Sequence, residues 1–308
     1  MAGTRRRFLR SAALAAGIPG AAASLTAQQP VKPPRPASEV QVPKMRFGKV
    51  EISRLIAGCN PFYGFAHFNA TLGSSMTEWY TPDRICAVLH QCNCFGINAF
   101  NYYPAGRALS DLERFRAEGG QMHLIVQGVG DPAPLVQALQ PLSIYHHGER
   151  TDVAFQADLM DNVREWCKKA RDLGVMVGVG THKPEVIQLV EEQGWDVDFY
   201  AGCVYNRTRT AEEWAKVLNG ESLELQGETY LRSDPPRMYK VMRQTSKPCF
   251  AFKIMAAGRI DHRGADDAFR LAYESIKPTD GVFIGLFPKF RDEVRENAER
   301  AHRILTSA

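Results

Sequence analysis

The sequence predicts an α/β fold, a (β/α)8 TIM barrel entered through an N-terminal β-hairpin. Three observations point there. Eight short apolar runs alternate with stretches of helical spacing from residue 53 to the C-terminus, the rhythm of strand–helix units around a parallel sheet. Pro82, Pro132 and Pro184 stand where helices would begin, and Gly174 where one would end. No Gly-x-Gly-x-x-Gly follows the first strand, which disfavours the doubly wound open sheet that shares this alternation.

At the N-terminus, Thr4-Arg5-Arg6-Arg7-Phe8-Leu9-Arg10 resembles a twin-arginine export signal. The apolar stretch behind it, ending at Leu25-Thr26-Ala27, is too short and too rich in Ala and Gly to span a bilayer. Residues 1–27 are therefore expected to be a removable leader. It would engage the twin-arginine (Tat) export machinery, carry the folded chain to the periplasm and leave no stable transmembrane anchor. Residues 28–43 hold Pro30, Pro33, Pro34, Pro36 and Pro43 and are expected to be a linker or surface arm.

The rest, 44–308, is expected to be a single domain, since barrels of about 250 residues fold as one unit. Residues 45–52 predict a hairpin turning at Gly48-Lys49. The first barrel strand is expected at 53–59, and the others at 97–101, 123–127, 142–147, 175–180, 198–204, 249–254 and 281–285. Val163, Trp166, Cys167, Ala170 and Leu173 recur at helical intervals with charged residues between them. An insertion at about 206–235 breaks the rhythm. On the C-terminal face of a barrel such a segment is expected to be a lid or substrate wall.

Composition narrows the partners. Of the net charge of +4, four arginines (Arg5, Arg6, Arg7, Arg10) belong to the leader. The remainder is near neutral and carries no basic stripe, so nucleic acid is not an expected partner and a small-molecule substrate is. The seven cysteines are scattered and odd in number, unlike a disulfide scaffold. Cys92 and Cys94 fall on different faces of one predicted helix, a poor geometry for a shared metal. Most of the thiols are expected to be buried and inert.

Several strand ends carry a family resemblance, in order along the chain. Residues 47–58 are similar to the opening hairpin and first strand of the aldo/keto reductases. Gly96-Ile97-Asn98-Ala99-Phe100-Asn101 resembles that family's second strand, and Ile144-Tyr145-His146-His147 its fourth, which ends in a catalytic histidine. Gly178-Val179-Gly180-Thr181, Val204-Tyr205-Asn206 and residues 251–258 resemble its later strand ends. The resemblance implies a nicotinamide site at Phe252, Thr181 and Asn206, with Lys289 and Arg291 against the adenosine phosphate of NADP(H). It also implies a catalytic role for His147. The departures are as informative. Asn101 stands at the family's aspartate and Gln127 at its lysine. The tyrosine position falls near Gly106, with Tyr102 and Tyr103 close by. A tyrosine with no cation beside it keeps a pKa of about 10, far from what ketone reduction needs in a proton donor.

The strand ends nevertheless gather polar groups where barrels do chemistry. Candidate catalytic residues are His147, Asn101, Tyr102, Tyr103 and Lys253. His147, Glu149 and His182, at the ends of the fourth and fifth strands, form a candidate site for a divalent metal. Strand alternation means that His146 and His147 cannot both face inward; the family register selects His147. Three readings stay open: a divergent NAD(P)-dependent oxidoreductase acting on a polar carbonyl or sugar-type substrate, a non-redox lyase, isomerase or hydrolase of sugars that uses a metal, and a periplasmic binding module without catalysis.

Overall fold

Short runs of Val, Ile, Phe and Tyr, nearly all buried, form the strands of this protein. The structure is a computed structural model that describes residues 36–221 and 228–307. The expected leader (1–27), the first part of the expected linker and residues 222–227 of the expected insertion lie outside the described residues.

Strands β1 (Lys44–Phe47) and β2 (Val50–Ser53) pair antiparallel, with Phe47 opposite Val50 across the Gly48-Lys49 turn. Eight strands then close a parallel barrel: β3 (Leu55–Gly58), β4 (Ala99–Tyr102), β5 (His123–Gly128), β6 (Ser143–His146), β7 (Met176–Thr181), β8 (Phe199–Cys203), β9 (Cys249–Phe252) and β10 (Gly281–Gly285), with β10 bonded back to β3. The predicted (β/α)8 TIM barrel with its N-terminal hairpin is the observed fold. The helices are α1 (Ala70–Trp79), α2 (Pro82–Cys94), α3 (Ala108–Ala117), α4 (Pro132–Leu139), α5 (Gly148–Gln156), α6 (Met160–Asp172), α7 (Pro184–Glu192), α8 (Ala211–Leu218), α9 (Asp234–Gln244), α10 (Ala265–Ser275) and α11 (Glu293–Thr306). Three of them begin on a proline whose fixed φ suits the first turn, α2, α4 and α7.

Alternation along each strand builds two apolar layers. Inward, Ile56, Ala99, Ile125, Tyr145, Phe199, Phe250 and Phe283 fill the barrel. Phe47 of the hairpin closes its floor, edge-on to Phe199 at 5.2 Å and Phe250 at 5.1 Å. Gly178 makes room here, since a Cβ would stand 2.6 Å from the Phe199 ring. Outward, Leu55, Phe100, Val126, Val177 and Val282 pack against the helices. The end of the Pro-rich arm lies on the barrel too: Val40 and Val42 are buried, and the Val42 N–H donates to the Phe95 carbonyl at 3.0 Å. With the floor closed and the wall packed, space for a ligand is left at the C-terminal strand ends. Among the described residues no helix is long and apolar enough to cross a membrane.

Candidate active site

At that end of the barrel lies a cavity of about 190 Å3, lined in part by Tyr103, Gln127, His147, Glu149, His182, Arg207 and Lys253. It shares Asn60, Phe65, His67, Phe252 and Lys253 with a larger, mainly apolar chamber of about 480 Å3 that runs toward α11. Two residues of the shared wall carry strained backbones, His67 with φ 56° and Lys253 with φ 62°. A left-handed residue with a side chain costs about 1 kcal/mol or more and persists where its surroundings hold it, commonly at functional sites.

His182 is fixed by a buried knot. Asp152, fully buried at the middle of α5, accepts from Thr181 Oγ1 at 2.5 Å, Thr208 Oγ1 at 3.0 Å, the His182 N–H at 3.1 Å and His182 Nδ1 at 2.7 Å. Arg207 Nη1 approaches His182 Nε2 at 3.2 Å. A guanidinium only donates, so Nε2 accepts and the proton sits on Nδ1, facing Asp152. Burial pushes the His182 pKa down against the pull of Asp152, which fits the neutral ring. Burial, followed by the neighbouring His182, holds His147 at about 4. Both imidazoles therefore enter the cavity uncharged at neutral pH.

A second knot sits across the mouth. Glu228 accepts from His67 Nδ1 at 2.7 Å, Tyr230 Oη at 2.6 Å and Arg207 Nη2, and lies 3.5 Å from Lys253 Nζ. The segment that delivers it is anchored on both sides. Lys183, nearly fully buried, reaches Glu213 of α8 at 2.7 Å, and Arg209 pairs with the buried Asp234. Arg259 donates to the Glu228 carbonyl at 2.6 Å and stands 4.2 Å over the Tyr230 ring. Lys253 is nearly buried within this setting. Burial, aided by Arg207 and Arg259 against Cys203 and Glu149, lowers its amine to about 7.

The structure sorts the expected site residues by direction. His147, Tyr103, Glu149, His182, Phe252 and Lys253 meet at the small cavity. Asn101 faces inward, accepts from Tyr145 Oη at 3.1 Å and borders the larger chamber. Tyr102 alternates outward and is buried beside Phe100 with its ring 6.1 Å away, so it is corrected from a catalytic candidate to a packing residue. His146 likewise faces the helices, 5.1 Å from Trp166 and bonded to Thr151.

The expected grip on NADP(H) is corrected as well. Thr181 is buried against Asp152, and Asn206 is buried with its N–H donating to the Asp234 carboxylate at 3.2 Å. Lys289 is held by Ser75 at 3.0 Å, and Arg291 by Glu296 at 2.8 Å. Phe252 alone of the five stands at the small cavity. The metal set is corrected too. Among the described residues no three His, Cys, Asp or Glu side chains are arranged to hold a metal ion. Both ring nitrogens of His182 are taken, one by a guanidinium, so this donor set does not fit a divalent cation.

Asp152, Arg207, Glu228 and Arg259 carry no motif or spacing that singles them out in the sequence. Asp152 carries only a faint signal, an acidic residue one turn into a helix that follows a strand ending in two histidines. Six of the seven cysteines are buried, with Cys94 exposed. Burial raises Cys59 to about 12 and Cys203 to about 11, so neither is a nucleophile at neutral pH.

Fold and cavity together define a parallel-barrel protein with a polar pocket of neutral imidazoles, cations and amides at its C-terminal strand ends. The chain is similar to a truncated form of 3-deoxy-D-arabino-heptulosonate 7-phosphate synthase from Thermotoga maritima, with a TM-score of 0.50 and 13% identity, covering 87% of this chain and 92% of that one. It is also similar to the phospho-2-dehydro-3-deoxyheptonate aldolase (DAHP synthase) of the same organism, with a TM-score of 0.49 and 13% identity over 87% of this chain and 74% of that one. At such identity the likeness shows the fold alone. No protein-family model and no curated protein matches the sequence. The resemblance to aldo/keto reductases is thereby overturned. The barrel is shared with a synthase of another kind, the family's tyrosine–lysine–aspartate set is missing, and the oxidoreductase reading and NADP(H) fall with it.

Proposed function

We propose that this chain is a non-redox enzyme that moves protons on a polar, hydroxylated carbonyl compound of the sugar type, by isomerisation or elimination. The observation that carries the proposal is the placement of Lys253, nearly buried on a strained backbone, in one cavity with His147, Tyr103 and Gln127. An amine titrating at about 7 is half neutral at physiological pH, where a general base is most effective. In this reading Lys253 Nζ takes a proton from the carbon beside the carbonyl. The electron pair moves onto the carbonyl oxygen, where the Gln127 amide and the neutral His147 ring offer hydrogen bonds to the growing charge. Movement of the hydroxyl proton on that carbon to the former carbonyl oxygen, with return of the abstracted proton to the former carbonyl carbon, completes an isomerisation. Departure of a β-hydroxyl, protonated as it leaves, completes an elimination. Export to the periplasm by the leader at 1–27 is part of the same proposal, and a hydroxylated small molecule suits that compartment.

The test is proton exchange. The purified chain is incubated in D2O with a panel of ketoses, aldoses and uronates, and loss of the C–H signal is followed by NMR. The expected rate rises with pH through about 7, because the neutral amine is the active form. Lys253→Met is expected to lose about 10²–10⁴-fold. Exchange that survives Lys253→Met, or a rate flat between pH 6 and 8, would sink the proposal.

A further inference from the structure

Glu228 occupies a position that its surroundings would offer to any anion. Its carboxylate, 22% exposed, meets His67 from the loop after β3, Arg207 from the segment after β8, Lys253 from the end of β9 and Tyr230 from its own segment. His67, Arg207 and Lys253 all line the small cavity. One donor of the cluster is left without an acceptor and another is held only at long range: Arg207 Nε is buried without a hydrogen-bond partner, and Lys253 Nζ stands off at 3.5 Å. A pair built only for stability would be sealed and saturated. This one is open to solvent and short of acceptors.

Exchange chemistry follows. A ligand carboxylate or phosphate entering the cavity could take over the hydrogen bonds of Glu228, and the charge balance would be kept. A neutral group displacing Glu228 would leave Arg207 and Lys253 uncompensated in a nearly buried site, which is strongly unfavourable. A site built around a charged partner rejects an analogue that lacks it. We propose that the position of Glu228 is an anion subsite, and that the substrate of this cavity carries an anionic group that replaces the Glu228 carboxylate against Arg207, Lys253 and His67. The inference rests on the sugar-type reading above and narrows it to acidic or phosphorylated sugars.

The test is equilibrium binding, which needs no turnover and so stands or falls apart from the role of Lys253 as base. Glucuronate, glucose 6-phosphate and glucose are titrated calorimetrically into the wild-type chain, Glu228→Ala and Arg207→Gln, each checked for folding by its melt. At least one anion is expected to bind about tenfold or more tightly than glucose. Glu228→Ala is expected to tighten that anion by about a further tenfold by removing the competitor, and Arg207→Gln to abolish the preference. Gain by glucuronate alone identifies a carboxylate subsite, and gain by glucose 6-phosphate alone a phosphate subsite; both support the proposal. Glucose binding as well as both anions, or no anion bound more tightly than glucose, overturns it. So does weaker anion binding in Glu228→Ala, which would make Glu228 part of the site and not its stand-in. If Glu228→Ala fails to fold, the wild-type comparison of anion with glucose decides alone.

Discussion

Asp152→Ala is expected to cost this barrel a large share of its stability, although the residue is a polar one in a helix outside the barrel wall. Four donors converge on its carboxylate, which is fully buried. Two of them have other options. Thr181 Oγ1 also reaches the Lys183 carbonyl at 3.2 Å, and the half-buried Thr208 hydroxyl can turn. The His182 backbone N–H and its Nδ1–H have none. Each orphaned buried donor costs about 1–3 kcal/mol, so the pair costs roughly 4 kcal/mol. At about 2–3 °C per kcal/mol for a chain of this size, the Tm should fall by roughly 10 °C. Asp152→Asn tests the charge separately. It keeps one acceptor but points an NH2 at donors, and should lose nearly as much. Thermal melts followed by circular dichroism, with urea titrations at neutral pH, measure both variants. A Tm for Asp152→Ala within about 2 °C of wild type would refute the argument, because that small a change means a loss near 1 kcal/mol or less. Nitrogen NMR of the His182 ring gives an independent check. Wild type should show the proton on Nδ1, facing Asp152.

The remaining predictions concern the floor of the barrel and the response to acid. Phe47→Ala removes the ring that plugs the barrel against Phe199 and Phe250 and should cost about 3–5 kcal/mol. An unchanged urea midpoint would show that the hairpin is not the plug. His146 and His147 are both lowered to about 4, in each case chiefly by burial. A folded pKa below the unfolded 6.5 means that the unfolded chain binds the proton first. Stability is thus complete above about pH 6.5 and is lost as pH falls from 6.5 through about 4. The loss is at most roughly 3 kcal/mol for His146, and less for His147, which borders the cavity. Urea midpoints at pH 7.5, 6 and 5 should therefore decline in order, and His146→Gln should flatten part of the decline. Equal midpoints at all three values would refute it.

The barrel was legible because its signals are local. Pro82, Pro132 and Pro184 mark helix starts whatever lies around them, and each begins a helix here. The runs at 123–127 and 281–285 coincide with strands to within a residue, because their central residues, walled in on both faces, are apolar. Alternation allows only one of His146 and His147 to face inward, the register of the resembled family selects His147, and the structure places them so. The second strand was placed two residues early, at Ile97, because Ile97 and Asn98 read as part of the apolar run. The Asn98 side chain instead ties this turn to the hairpin, accepting from the Ser53 N–H at 2.7 Å and donating to the Glu51 carbonyl at 3.0 Å.

The site was less legible because its chemistry is assembled across the sequence. His182 resembled a metal ligand when only its neighbours at strand ends were counted. Its actual partners are Asp152, 30 residues earlier, and Arg207, 25 residues later, and together they consume both ring nitrogens. No spacing rule reports such a pair, since it depends on how α5 and the segment after β8 dock on β7. Motif similarity misled for a related reason. The stretches that resembled the reductases, such as 47–58 and 96–101, are those a barrel needs for its hairpin, floor and wall. Phe47, Ile56 and Ala99 are core residues, so a similar pattern follows from a similar fold whatever the chemistry. The positions that would separate one chemistry from another are Asn101, Gln127 and Lys253, and each of these departs from the reductase pattern. Lys253 is the most telling. Where the reductase pattern has a serine, the mouth of the cavity would lack this cation. A lysine on a strained backbone beside Arg207 places a second cation where the inserted segment supplies Glu228. The insertion that sequence could only mark as a substrate wall is thus the part of the chain that sets the charge of the site.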